Sequence, residues 1–426
     1  MEQYDFSNNP DLDAHAQVAR QSASEGMVLL KNENGALPLG HEMNIALLGA
    51  TSYDFIAGGT GSGDVNEAYT VSLEEGLTNA GYAINQAAKE DFEAHKADNP
   101  EAFEKPEGLL QAMMNKYTPP ELIPTSKQLG KYVQSADMAI ITIGRNSGEG
   151  GDRVKEDDFL LTADEQEMIE NVCEAFHAAG KKVVVVLNIG GVIETASWKQ
   201  HPDAILLAWQ GGQEGGNSVA DILSGKVNPS GRLPMTFPVA LEDHASSANF
   251  PMSGESMKLG SMLSSRKPVP EDEKVRNIDY TIYEEGIYVG YRHFDKAGLE
   301  VSYPFGYGLS YTDFTYENMD VTVEDEGIRI NVTVKNSGDA AGKEVVEIYV
   351  AKPDSNVDRP VQELKGFVKT PLLNSGESIE MTLHIPVSDL AYWNEGTSDW
   401  TLEKGAYSVL ACSSSRDIRL SEEIEL

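Results

Sequence analysis

The chain has 426 residues, 40% hydrophobic, 24% charged and 8% aromatic, which is globular composition with room for two or more domains. Acidic residues outnumber basic ones 68 to 33, a formal charge of −35 that makes nucleic acid and anionic membrane surfaces poor partners. Two cysteines, Cys173 and Cys412, build neither a disulfide framework nor a zinc cluster, no run of ~18 apolar residues spans a membrane, and the polar N-terminus carries no signal peptide, so a soluble cytoplasmic protein is expected.

In chain order, residues 12–31 read as a helix running into Leu-Leu-Lys-Asn. NIALLGA (44–50) is a short apolar run ending in glycine, which predicts a buried strand. VSLEEGLTNAG (71–81) has helical spacing and a glycine stop. Residues 85–130 are charged and irregular, and read as helical decoration. MAIITIG (138–144) predicts a second strand. Thr162 and Glu165 form a capping box that opens a helix with Met168, Ile169, Val172, Cys173 and Phe176 on its apolar stripe. VVVVLN (183–188) and AILLAWQ (204–210) are apolar on both faces, as central parallel strands must be.

The alternation predicts an α/β fold, a mostly parallel α/β sandwich domain over 1–240. Residues 241–317 read as a linker and interdomain segment, polar and without a period over 240–280. From 318 to 426 about seven short alternating segments separated by turns predict an all-β sandwich of fibronectin type III kind. Tyr349 and Trp400 are expected in its core. PFGYGLSY (304–311) supplies aromatics and tight turns suited to interdomain packing.

Ligands of open parallel sheets gather at the carboxyl ends of strands. Two glycine-rich loops fall there: GGTGSGDV (58–65) after the first strand, and RNSGEGGDR (145–153) after the second. The first lacks the Gly-Lys-Ser/Thr and the GxGxxG order of nucleotide loops, so a plain structural loop is the expectation. The second presents Glu149 between glycines. A carboxylic acid held on such a loop can protonate a leaving-group oxygen, if burial or a neighbouring carboxylate raises its pKa. A solvated acidic loop is the alternative.

SGEGGDR (147–153), followed by LTADEQEMI (161–169), resembles the acid/base region of family-3 glycoside hydrolases. The resemblance runs on in order through ARQSASEGMVLLKNENGALPL (19–39), QGGQEGGNSVADILSGKVNPSGRLPMTFP (210–238), YEEGIYVGYRHFD (283–295), PFGYGLSYTDF (304–314) and RPVQELKGF (359–367). It implies a retaining β-glycosidase, most simply a β-glucosidase, with Glu149 as general acid/base. Arg145, Asp152, Arg153 and Asp64 are then the candidate substrate-binding residues. The family's Asp nucleophile belongs to a (β/α)8 barrel, which neither predicted domain supplies. The barrel is therefore expected in a longer parent chain or a separate chain, and the isolated chain is expected to be inactive. The substrate would be a β-linked glucoside or oligosaccharide, self-association into a homo-oligomer is left open, and the chemistry requires no cofactor and no metal. Ser398-Asp399-Trp400 matches the family's nucleophile motif in letters only, because its surroundings read as a sandwich turn. A reading from another class is a non-catalytic carbohydrate-binding or assembly module.

Overall fold

Four apolar runs lie side by side because each is buried on both faces. The computed structural model describes residues 8–60, 63, 65, 67–104, 119–146, 153–248 and 283–426. Its first sheet contains β1 (Val28–Asn32), β2 (Asn44–Leu48), β3 (Ala83–Ile84), β4 (Met138–Arg145), β5 (Val183–Ile189) and β6 (Ala204–Leu207), in the order β1-β6-β5-β4-β2-β3. All neighbours are parallel except β1, which runs antiparallel to β6. The sheet is therefore mostly parallel, as the sequence predicts.

Period-two alternation divides its side chains between two helical layers. On one face Val183, Val185 and Leu187 meet Met168, Val172 and Phe176 of α5 (Ala163–Ala178) and Leu129 and Tyr132 of α4 (Ser126–Ser135). On the other, Val184 and Val186 meet Leu73 and Leu77 of α2 (Leu73–Asn79) and Val219 and Leu223 of α6 (Gly215–Leu223). Helix α3 (Gln86–Asp98) and the start of α4 carry parts of the predicted decoration at 85–130, of which 105–118 lies outside the described residues. The Thr162 capping box opens α5 as expected.

The reading of 12–31 as one helix is corrected. Helix α1 (Leu12–Gly26) is capped by Asp11, stops at Gly26, and the chain extends from Met27 into β1. Val28, Leu29 and Leu30 are all buried, and three consecutive buried side chains suit a strand covered on both faces rather than one side of a surface helix.

After a short antiparallel pair, β7 (Phe237–Pro238) and β8 (Val301–Tyr303), the second unit is built from β9 (Phe314–Val323), β10 (Gly327–Asn336), β11 (Val345–Ala351), β12 (Glu363–Lys369), β13 (Ser378–Pro386), β16 (Ala406–Ser414) and β17 (Asp417–Glu425). A three-stranded sheet, β13-β10-β9, packs on a four-stranded one, β12-β11-β16-β17. Ile328, Ile330, Val332 and Val334 point inward from β10 onto Val346, Ile348 and Val409, giving the alternation of a sandwich. Between β13 and β16 a two-stranded ribbon, β14 (Tyr392–Asn394) and β15 (Asp399–Thr401), stands apart. Trp400 lies on this ribbon, 64% exposed, so its expected place in the core is corrected; Tyr349 is fully buried as expected.

Segment 304–311 touches both units. The Leu309 amide donates to Leu29 O at 2.8 Å and the Tyr311 hydroxyl to Ile222 O at 3.0 Å. Phe305 packs with Tyr349, Leu410 and Cys412 of the sandwich, beside Tyr291 of helix α7 (Tyr291–Ala297). Arg232 pairs with Glu344 across the same boundary at 2.5 Å, and Lys343 and Lys369 both reach Glu25 at the end of α1. Most of the polar stretch 240–280 lies outside the described residues. Among the described residues no helix is long and apolar enough to cross a membrane.

Candidate active site

Sheet topology locates the crevice. From β2 the chain passes to β3 on one side and later returns to β4 on the other, so the carboxyl ends of β2 and β4 form a topological switch point. Both glycine-rich loops leave the sheet there. The turn after β2 needs glycine, because Gly49 has φ +90° and a Cβ would stand 2.1 Å from Thr142 O on β4. Ser52 then bonds Thr142 side chain to side chain at 2.6 Å.

Asn188, near the end of β5, ties two strand-end loops together. Its Oδ1 accepts from the Ile56 amide at 2.7 Å, and its Nδ2 donates to Ile56 O at 3.0 Å and Trp209 O at 2.7 Å. On the far side of the loop Tyr69 donates to Glu214, which also accepts from Asn217. Asp64, on this loop, lies outside the described residues.

The loop after β4 carries the expected acid/base. Its tip, 147–152, with Glu149 and Asp152, lies outside the described residues, but both stems are described. Arg145 forms one stem. It donates twice to Glu165, at 2.6 Å each, and also to the carbonyls of Gly144, Asp158 and Leu160. Its five N–H bonds are thereby used inside the protein. Glu165 meanwhile accepts from the Thr162 amide, so one carboxylate completes a capping box and neutralises a buried guanidinium. The other stem is Arg153, which donates to Asp158 at 2.8 Å and to Val192 O at 3.0 Å. The geometry of these two arginines holds the loop ends to the sheet. Asn146 and Gln210 meet at 3.3 Å, linking this loop to the segment after β6.

Glu121 is a carboxyl that sequence reasoning missed. It comes from the irregular stretch PPELIP and accepts the Ala50 amide at 2.8 Å, at the end of β2. Burial pushes its pKa up to about 8, with Glu165 and Asp164 adding in the same direction and Arg145 opposing. A protonatable carboxyl therefore sits beside the Arg145 stem of the loop after β4. No spacing or cap signals it in the sequence.

His177 bonds Asp203 at 2.8 Å, near the end of α5. Asp399 is exposed on the antiparallel ribbon of the second unit and accepts the amide of its neighbour Trp400. Among the described residues no group of three or more His, Cys, Asp or Glu is arranged to hold a metal.

Residues 27–291 match the glycosyl hydrolase family 3 C-terminal domain, and 344–415 match the fibronectin type III-like domain. Beta-glucosidase A of Butyrivibrio fibrisolvens is 35% identical over 95% of the chain and 50% of its own length. Exo-alpha-(1->6)-L-arabinopyranosidase of Bifidobacterium breve is 32% identical over 96% of the chain and 48% of its own. Beta-glucosidase 3B of Thermotoga neapolitana, solved in complex with glucose, superposes with a TM-score of 0.86 at 41% identity, over 99% of the chain and 55% of that structure. The chain thus spans about half the length of the relatives it matches.

Proposed function

From the premise that this chain belongs to glycosyl hydrolase family 3, we propose that it supplies the general acid/base of a retaining β-glycosidase, in the first instance a β-glucosidase. The observation that carries the reading is the sequence SGEGGDR (147–153) between two described stems, which leave the end of β4 and are fixed by Arg145–Glu165 and Arg153–Asp158. A rigid frame suits an acid that must meet a glycosidic oxygen with little freedom.

In this reading Glu149 protonates the departing oxygen while an Asp of a (β/α)8 barrel attacks the anomeric carbon. Glu149 then removes a proton from the water that releases the covalent intermediate. The two carboxyls must approach to roughly 5–5.5 Å, so the barrel faces the carboxyl ends of β2 and β4. Asp152 and Asp64 are proposed to contact the sugar, whereas Arg145 and Arg153 act by holding the loop. The two buried thiols, Cys173 and Cys412, accord with a reducing, cytoplasmic setting.

The test uses the chain together with its barrel. Glu149→Ala should slow hydrolysis of a disaccharide by orders of magnitude, yet form the glycosyl-enzyme readily from a dinitrophenyl glucoside, whose leaving group needs little protonation. Azide, which needs no base, should restore turnover and yield a β-glucosyl azide. Wild-type rates on both substrates would remove Glu149 from the mechanism. Comparison of aryl β-glucoside with aryl α-L-arabinopyranoside assigns the sugar. The 426-residue chain alone should turn over neither.

A further inference from the structure

We propose that the ribbon β14–β15 is a second sugar site, a stacking platform for a neutral β-linked glucan. Of four tryptophans, Trp198 is buried and Trp209 packs against the first core; Trp393 and Trp400 are 50% and 64% exposed. They stand directly opposite each other across the ribbon, so both project from one face. Their ring centroids are 5.7 Å apart at 75°, which offers the flat face of one indole beside the edge of the other. A pyranose has an apolar C–H face of matching size, and its ring can lie on one indole while the other flanks it.

Hydrogen bonds tie the segments at both ends of the ribbon to the loop 355–359. Arg359 donates to Leu390 O, at the entry to the ribbon. Glu403, at its exit, accepts from Ser355 and from the Asn356 amide. The same loop walls an open groove of about 740 Å³, of mixed lining in which Lys352, Asn356, Gln362 and Ser408 are polar and Val361 and Ile418 apolar. Ordering the ring pair on binding therefore costs little conformational entropy.

Two features select a sugar over a protein. Two half-exposed indoles offer on the order of 200–300 Å², well short of the ~800 Å² per partner of a stable protein interface. Glu395 and Asp399 are exposed on the same ribbon, Asp399 on the face opposite the indoles, in a chain of charge −35, which disfavours anionic ligands and leaves a neutral polyol unopposed. The choice of a β-glucan rests on the proposed β-glucosidase activity; the platform itself does not.

The probes are barley β-glucan in native affinity gels and cellohexaose by calorimetry, with the 426-residue chain. The wild type should be retarded and bind with a Kd of roughly millimolar order. Trp393→Ala and Trp400→Ala should each weaken binding at least tenfold, Trp400→Phe less, and all three should still unfold cooperatively, at most a few degrees below wild type, because half or more of each ring is already in water. With the barrel supplied, hydrolysis of a small aryl glucoside should be unchanged. Absence of retardation in the wild type, equal retardation of the double alanine variant, or a change of its oligomeric state on gel filtration would each overturn the proposal. Glucan binding without hydrolysis by the complete enzyme would instead sink the catalytic reading and leave the platform standing.

Discussion

Glu121 and Glu165 are neighbouring carboxyls that the fold treats in opposite ways. Glu165 accepts both arms of Arg145 and the Thr162 amide, whereas Glu121 has one amide donor and a desolvated site. Removing one member of a buried pair strands the other charge, so Glu165→Ala should cost about 3–5 kcal/mol in denaturant unfolding. Glu121 gives a pH signature. Its folded pKa, about 8, exceeds the ordinary 4.5, so between those values the native state holds a proton that the unfolded chain releases. Its stabilising effect is complete below 4.5 and is lost as pH rises through about 8. Glu121→Gln, always neutral, should gain melting temperature relative to wild type as pH goes from 5 to 9; a constant difference would refute the shift. Glu165 was legible because a capping box has fixed spacing. Glu121 was not, since only the approach of two distant segments buries it. Trp400 misled because Asp-Trp-Thr alternates like a core strand, and alternation does not reveal whether a second sheet covers the apolar face.

At the scale of elements, helices α2 and α6 touch through backbone. A Cβ on Gly76 would lie 2.1 Å from Gly216 O, and one on Gly216 would lie 1.9 Å from Ser72 O. Neither glycine has positive φ, so contact alone demands them. Gly216→Ala should destabilise by ~1–3 kcal/mol or more, because backbone cannot swing aside as a side chain can. Asn188 does for loops what these glycines do for helices. Asn188→Ala removes three hydrogen bonds and leaves backbone groups at Ile56 and Trp209 without that partner; a loss of about 2–4 kcal/mol is expected. Hydrogen exchange at the Ile56 amide should accelerate in that variant more than at β5. The central strands and α5 were readable from their periods. The break between α1 and β1 was not, because pairing with β6, 172 or more residues away in sequence, decides it.

The two units are joined by charge as well as by packing. Glu25 on α1 accepts from Lys343 and Lys369 of the sandwich, and although burial works against it, the two ammonium groups hold its pKa down to about 2. That depression contributes stability above the ordinary value of 4.5 and loses it as pH falls through about 2. After screening at a partly exposed site this amounts to ~1–2 kcal/mol at pH 7. Glu25→Gln should therefore lower the melting temperature at pH 7, with the deficit closing as pH falls from 4.5 toward 2. The order of an α/β layer followed by an all-β sandwich was legible throughout, since helical and strand periods change along the chain.

Segment 304–311 has a consequence for how the chain can be divided. Strand β1 ends the first sheet, and its outer carbonyls at Leu29 and Leu30 are taken by the Leu309 amide and the Tyr307 hydroxyl. On the same segment Gly306 and Tyr307 exchange backbone bonds with Leu233. The piece that introduces the sandwich thus doubles as an edge guard, blocking the row of groups through which bare strands recruit other copies. A truncation after residue 300 would keep every strand of the first sheet yet expose that edge. It should aggregate through β1 on refolding, with a rise in thioflavin fluorescence, whereas a chain cut after residue 311 should stay monodisperse at the same concentration.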